Sequence, residues 1–239
     1  MLTVAVLAGG LATRLGQLTE KMPKSLLRVA GRPFIHWQLG LLAQQGVTEA
    51  VLCVGHLGEQ IRSAVGDGTG FGITVRYSFD GRTLLGTGGA LKRALPMLGT
   101  AFFVLYGDSY VPCSFAAVQA AYEASDAPAL ITVFCNQGRW DESNVSFHGG
   151  RIVEYHKGAP RHAGMAHVDF GLGIVSAQSL ETYPSGAAFD LADLYRELSL
   201  RSELAGLEVT DRFYEIGSLQ GIEATERYLT NQRAADELR

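Results

Sequence analysis

The sequence predicts an α/β domain: a mostly parallel central sheet flanked by helices, with a small lobe added late in the chain. Three observations carry this expectation. Short β-rich runs, TVAVL, EAVLCV, ITVRYS, AFFVLYG and ALITVFC, recur through the first 135 residues. Helix-length segments separate them, and strands that alternate with helices pack as parallel crossover units. The length of 239 residues suffices for one full core, or one core with a small lobe.

The elements follow in order. TVAVL, residues 3–7, is a short buried strand that exits into LAGGLATRLG, Leu7 to Gly16. Pro33 to Gln45 is helical, because Phe34, Trp37, Leu41 and Leu42 fall on one face at a helical period. EAVLCV is the next strand, Glu59 to Val65 a helix, and ITVRYS a strand. A glycine-rich stretch, LLGTGGALKRAL, opens a helix over Gly89 to Leu95, and AFFVLYG follows as a strongly apolar strand. Phe115 to Ala124 is helical and ALITVFC is a strand.

After about Gln137 the texture changes. NVSFHGGRIVEYHK reads as two strands turned through Gly149-Gly150, a hairpin signal. HVDFGLGIVS is a further strand, and helices over Asp190 to Glu203 and Leu219 to Leu238 close the chain. Residues 1–137 thus form the main sheet and 138–239 a lobe built onto it, within a single domain. The sequence contains no internal repeat and no low-complexity tract.

Composition narrows the function classes. Apolar residues make up 47% and charged residues 18%, an ordinary soluble balance, and the net charge of −4 argues against a general nucleic-acid binder. No apolar run approaches the ~18 residues of a membrane span. Met1 leads straight into a strand, without the basic flank of a signal peptide. Of three cysteines, Cys53 and Cys135 lie in strand-like runs, which points to buried thiols and a reducing cytoplasm. The six histidines form no H-x-x-x-H pair and no Cys/His motif, which argues against zinc.

In an open α/β sheet, ligands collect at the carboxyl ends of the strands. Three stretches stand there. In the first loop Gly9 and Gly10 free backbone N–H groups to face an anion, and Arg14 with Lys24, in KMPKSLL, adds fixed positive charge. That suits a polyphosphate, although neither a P-loop nor G-x-G-x-x-G is present. The plain alternative is a glycine-rich strand exit with a solvated Arg and Lys. In LLGTGGALKRAL, Gly88 and Gly89 permit close approach of a flat ligand or of backbone. In FFVLYGDS, Asp108 follows an apolar strand, where a carboxylate needs solvent or a cation; a metal ligand and a helix N-cap are both open.

Together these stretches resemble the sugar-1-phosphate nucleotidylyltransferases, and most closely their short bacterial branch, which includes heptose 1-phosphate guanylyltransferases and N-acetylmuramate 1-phosphate uridylyltransferases. The family opens with a strand and a signature of the form L-x-A-G-G-x-G-T-R-L, followed by Pro-Lys. The matching residues are Leu7, Ala8, Gly9, Gly10, Thr13, Arg14 and Leu15, then Pro23-Lys24, with Ala12 where the family usually has glycine. LGTGGAL and YGDS fall in the family's order.

The resemblance implies a Rossmann-like nucleotide-diphospho-sugar transferase fold. It implies a nucleoside triphosphate held by Leu7, Ala8, Gly9, Gly10, Thr13 and Arg14, with Gly86, Thr87 and Gly88 lining the base and sugar. Arg14 and Lys24 would be the catalytic cations. Mg²⁺ would bind Asp108 and Glu215, the latter in FYEIGSL, where Ser218 replaces the family's threonine. Asn144, Glu154, Lys157 and Asp169 would meet the sugar phosphate. The reaction implied is in-line attack of a sugar 1-phosphate oxygen on the α-phosphorus, for cell-surface polysaccharide synthesis. Nucleic acid and membrane are not expected partners, and assembly into a homo-oligomer stays open. Two rivals also stay open: a glycosyltransferase on a similar sheet, although its Asp-x-Asp is absent, and a non-catalytic nucleotide-sugar-binding relative.

Overall fold

The computed structural model describes residues 1–10, 15–16, 19–136, 139, 142–157 and 164–237. The strands are β1 (Val4–Leu7), β2 (Arg28–Val29), β3 (Arg32–Pro33), β4 (Glu49–Val54), β5 (Thr74–Phe79), β6 (Ala101–Tyr106), β7 (Ser109–Tyr110) and β8 (Ala129–Cys135). They continue with β9 (Val145–His148), β10 (Arg151–Tyr155), β11 (His167–Ser176), β12 (Leu204–Val209) and β13 (Tyr214–Glu215). The helices are α1 (Phe34–Gln44), α2 (Gly58–Val65), α3 (Gly86–Ala94), α4 (Phe115–Glu123), α5 (Leu191–Leu200) and α6 (Leu219–Glu237).

Nine strands form one sheet in the order β5-β4-β1-β6-β11-β8-β12-β10-β9. The first four are parallel, as the strand–helix alternation predicts. Beyond β6 the expectation of a mostly parallel sheet gives way to a mixed one. β11 enters antiparallel to both β6 and β8, and β12 then runs parallel to β8. The reason is the connection. Between β8 and β11 the described residues form only the β9–β10 hairpin and no crossover helix, and without a crossover neighbouring strands run antiparallel. The hairpin turns at Gly149 and Gly150, both at positive φ (57° and 79°), the two-residue geometry that suits the strand twist. Strands β9 to β12 therefore extend the central sheet itself.

Apolar residues cover both sheet faces. Ile35, Leu39 and Leu42 of α1, Ile61 of α2 and Phe115 of α4 join one core, whereas Leu91 of α3 and Leu191, Leu194 and Leu198 of α5 join the other. Helix α1 is buried on a second side too. Phe34 and Leu41 pack with Ile216 and Leu229, and Trp37 donates its indole N–H to the Val29 carbonyl at 2.8 Å. Helix α3 begins three residues before the glycine at which the sequence pattern starts it, because the Phe189 carbonyl accepts the Gly88 and Gly89 N–H groups at 3.1 and 3.3 Å. No helix among the described residues is long and apolar enough to cross a membrane.

Strand β1 has β4 on one side and β6 on the other, so the chain reverses its direction of growth there and leaves a crevice at the carboxyl ends. The ends are packed backbone to backbone. Ala8 N–H donates to the Cys53 carbonyl at 2.8 Å and Gly107 N–H to the Leu7 carbonyl at 3.0 Å. A Cβ at Gly107 would lie 2.6 Å from the Leu7 oxygen and 3.0 Å from Ala8 Cα. Because those neighbours are backbone, a Gly107→Ala change has to part the strands. Chemical denaturation should show a loss of about 1–3 kcal/mol, the usual cost of overpacking. Gly10→Ala, where nothing among the described residues lies within 4 Å of the added atom, should stay close to the parent.

Candidate active site

Two cavities meet at the crevice. The first, of about 230 Å³, is lined by the β1 exit, the ends of β4 and β6, Lys24, and the start of α3. Of the residues singled out in the sequence, Leu7, Ala8, Gly9, Gly10, Lys24, Gly86, Thr87 and Asp108 line it. Thr13 and Arg14 lie outside the described residues. Gly88 is not on the lining. A Cβ there would collide with the Phe189 ring, so the space its missing side chain opens is filled by the protein's own backbone turn and ring. Thr87 also works inward: its hydroxyl donates to Asp190 Oδ1 and accepts the Leu191 N–H, each at 2.8 Å, which pins α3 to the start of α5.

Lys24 and Asp108 form the centre. Lys24 opens a 3-10 turn after Pro23, and its Nζ lies 2.6 Å from Asp108 Oδ2. The side chains are only 17% and 29% exposed, so the pair is mostly removed from water, yet both residues still face the first cavity. Asp108 stands on a clamped loop. Ile216 N–H donates to its carbonyl at 3.0 Å, and β7 pairs with β13 just beyond it, Tyr110 opposite Tyr214 and Ser109 opposite Glu215. From α1 the fully buried Gln38 donates its amide to the carbonyls of Tyr106 and Ser109, at 2.9 and 2.8 Å. No motif marks Gln38 in the sequence; its one signal there is a polar side chain inside the largely apolar FIHWQLGLL.

Glu215 is placed by that strand pairing opposite Ser109, and it lines the second cavity together with Asp108. Its carboxylate accepts the Ser218 hydroxyl at 2.7 Å and the Gly217 N–H, so it also organises the entry to α6.

The second cavity, of about 650 Å³, shares Tyr106 and Asp108 with the first. Asn144, Lys157 and Asp169 line it, as does Tyr155. Asn144 Oδ1 accepts the Asp169 N–H at 3.0 Å, which fixes two polar side chains in register. Asp169 accepts from Tyr155 hydroxyl and Gly171 N–H, both at 3.0 Å. Burial pushes its carboxyl above the usual range, and these donors with the Lys157 charge offset that only in part. Glu154 is not on the lining; it pairs with His156 at 2.7 Å.

Lys157 reaches Asp190 Oδ2 at 2.5 Å. Asp190 caps α5 in a reciprocal box with Asp193. Burial alone would raise its pKa, but Lys157, the Ala192 N–H and the Thr87 hydroxyl outweigh burial and hold it below the usual carboxylate range. The aspartate thus ties a residue of the first cavity to one of the second.

Residues 4–210 match the model of the MobA-like NTP transferase domain. The chain belongs to that family. An N-acetylmuramate α-1-phosphate uridylyltransferase of Neisseria meningitidis is 30% identical over 90% of this chain and 92% of its own length. A D-glycero-α-D-manno-heptose 1-phosphate guanylyltransferase of Campylobacter jejuni is 34% identical over 44% of this chain and 47% of its own. HddC from Yersinia pseudotuberculosis, in a crystal structure with GMP-PN, superposes with a TM-score of 0.79 at 23% identity, covering 96% of this chain and 100% of that one. It shares the fold. The two sequence relatives are named as nucleotidyltransferases, and nucleotidyl transfer is the chemistry of the family.

Two outcomes follow from the clamps. Gln38→Leu leaves two buried carbonyls without donors and should cost about 1–3 kcal/mol in a urea titration. Asp190→Ala should cost about 1–2 kcal/mol at pH 7 through loss of the cap. Because the folded-state pKa of Asp190 lies below its unfolded value, its contribution is present above the ordinary carboxylate pKa and lost as pH falls through the folded one. Parent and variant titrated at pH 7 and at pH 3, below the ordinary carboxylate pKa of about 3.9, should therefore draw closer at the lower pH.

Proposed function

We propose that this chain joins a sugar 1-phosphate to a nucleoside triphosphate, giving a nucleotide sugar and pyrophosphate. The observation that carries the proposal is the Lys24–Asp108 pair, standing where the two cavities meet. The first cavity takes the triphosphate and the second the sugar phosphate. The nucleotide-binding part is then residues 1–137 and the sugar-binding part 138–239, with Arg14 a further contact to the triphosphate.

A sugar phosphate is already anionic at neutral pH, so the attack on the α-phosphorus needs no general base. The barrier is the approach of two anions, and catalysis then comes from positioning and charge. Lys24 supplies a fixed ammonium between them. Asn144, Asp169 and Tyr155 offer hydrogen-bonding groups suited to sugar hydroxyls, and Lys157 a cation suited to the sugar phosphate.

The donor set around Asp108 fits a hard cation. It consists of oxygen atoms, the carboxylates of Asp108 and Glu215 with the hydroxyls of Ser109 and Ser218, and an ammonium already rests on one of those oxygens. Asp108 and Glu215 would hold Mg²⁺, which supplies positive charge to the triphosphate oxygens when bound. The similarity to an N-acetylmuramate 1-phosphate uridylyltransferase and a heptose 1-phosphate guanylyltransferase supports an amino- or heptose-type sugar 1-phosphate as acceptor; a role in cell-surface polysaccharide synthesis and work in the cytoplasm belong to the same proposal.

The test is pyrophosphate release with ATP, CTP, GTP, TTP and UTP against a panel of sugar 1-phosphates. One base and one sugar class should stand out. Release from no pair, together with hydrolysis or transfer from a nucleotide sugar, would overturn the reading in favour of a glycosyltransferase. Lys24→Ala should keep the fold and lower turnover by about 10²–10³, the scale of one lost electrostatic donor. Asp108→Asn should remove most activity. Glu215→Asp should keep a substantial part of it, whereas Glu215→Ala should need more Mg²⁺ for half-maximal rate.

A further inference from the structure

Away from the crevice, three metal-ligating side chains converge on the sheet. Cys135 ends β8, His167 begins β11 and Glu208 lies near the end of β12. The register makes them neighbours. His167 is directly opposite Cys135, while Glu208 is opposite Val133, two residues before Cys135 and so on the same face. One ligand atom from each residue lies within 4.8 Å of the other two, and His167 Nε2 is 3.4 Å from Glu208 Oε1.

A second observation points the same way. The Nδ1 of His167 is buried and has no hydrogen-bond partner among the described residues. Nε2, not Nδ1, is the nitrogen that faces Glu208; with Nδ1 unpaired, the ring can present a neutral Nε2 lone pair to the cluster, the form in which an imidazole binds metal. The ring is held edge-on by Phe147, with centroids 5.3 Å apart, which limits its rotation. Cys135 is half-buried and Glu208 exposed, so a cation can reach the cluster from solvent.

We infer that Cys135, His167 and Glu208 bind a borderline-soft divalent cation, zinc foremost. Sulfur, nitrogen and carboxylate oxygen are the ligand types zinc takes, and around a tetrahedral ion they stand about 3.5 Å apart. His167 and Glu208 already stand at 3.4 Å, and closing from within 4.8 Å to that spacing is a shift of about 1 Å, within the reach of side-chain adjustment at the half-buried Cys135 and the exposed Glu208. The set differs in kind from the all-oxygen group at Asp108, so the two sites select different ions. Three protein ligands leave a fourth position for water. The absence of any H-x-x-x-H or Cys/His motif argues against zinc only for ligands close in sequence; here three strands distant in the chain bring them together.

The cation would brace the start of β11, two residues before Asp169 in the second cavity. The test uses the full chain, stripped with a chelator, exchanged into a thiol-free reducing buffer and titrated with Co²⁺. The parent should develop a near-ultraviolet thiolate-to-cobalt charge-transfer band with the visible bands of four-coordinate cobalt, saturating at one equivalent and displaced by Zn²⁺. Cys135→Ser should lose the charge-transfer band, and Glu208→Gln should weaken zinc binding at least tenfold. Asp108→Asn should keep the band. Zn²⁺ should raise the thermal midpoint of the parent and leave that of Cys135→Ser unmoved. No thiolate band in the parent, or an equal band in Cys135→Ser, would overturn the inference.

Discussion

A carboxylate at the end of a buried strand is expensive unless something holds a cation against it, and this constraint organises the crevice. Asp108 has to stay aimed while most of its side chain is withdrawn from water. Lys24 supplies the opposite charge at 2.6 Å. The backbone around Asp108 is then fixed by a buried amide from α1, by the Ile216 N–H and by the short β7–β13 ladder. Gln38 is informative in this respect. Its Oε1 is buried without a hydrogen-bond partner among the described residues, so the protein tolerates an orphan acceptor to keep two donors on the Asp108 loop. The same loop brings Glu215 alongside, which explains why a residue so far along the chain shares a cavity with Asp108.

The second organising contact is Asp190. A helix cap is a local device, yet here its two oxygens also receive Thr87 from the first cavity and Lys157 from the second. The backbone turn around Phe189 seals against the glycines of α3 at the same place. The GTGG stretch is thus built for close packing of protein on protein as well as for lining a ligand cavity. Its Gly86 and Thr87 face the cavity while Gly88 faces the Phe189 ring.

How much of this was legible in the sequence depended on whether the determining interaction was local. The parallel strands β1, β4, β5 and β6 and all the helices were readable, because apolar periodicity and glycine punctuation act over a few residues. The Gly149-Gly150 hairpin was readable for the same reason. The antiparallel insertion of β11 was not, since its neighbours are chosen by the missing crossover and not by its own composition. At the site, Lys24 and Asp108 announced themselves by position after a turn and a strand. Gln38 carries no motif, and the local cap at Asp190 gives no sign of its distant partners Thr87 and Lys157. The Cys135, His167 and Glu208 cluster is the extreme case, visible only once three strands are in register.

The strand order also dictates when the sheet can close during synthesis. As the chain emerges from its N-terminus, β5, β4, β1 and β6 can assemble from segments already made. The outer edge of β6 and both edges of β8 must then wait, because the strand that joins them, β11, comes only after the hairpin. Even when β11 has zipped between them and paired its start with β9, β8 keeps one open edge until β12 arrives more than 25 residues later and pairs with both β8 and β10. An unpaired strand as apolar as ALITVFC, with Thr132 its one polar side chain, is a template for the wrong partner. The nascent protein therefore passes through an interval in which β8 is the surface a chaperone has most reason to cover.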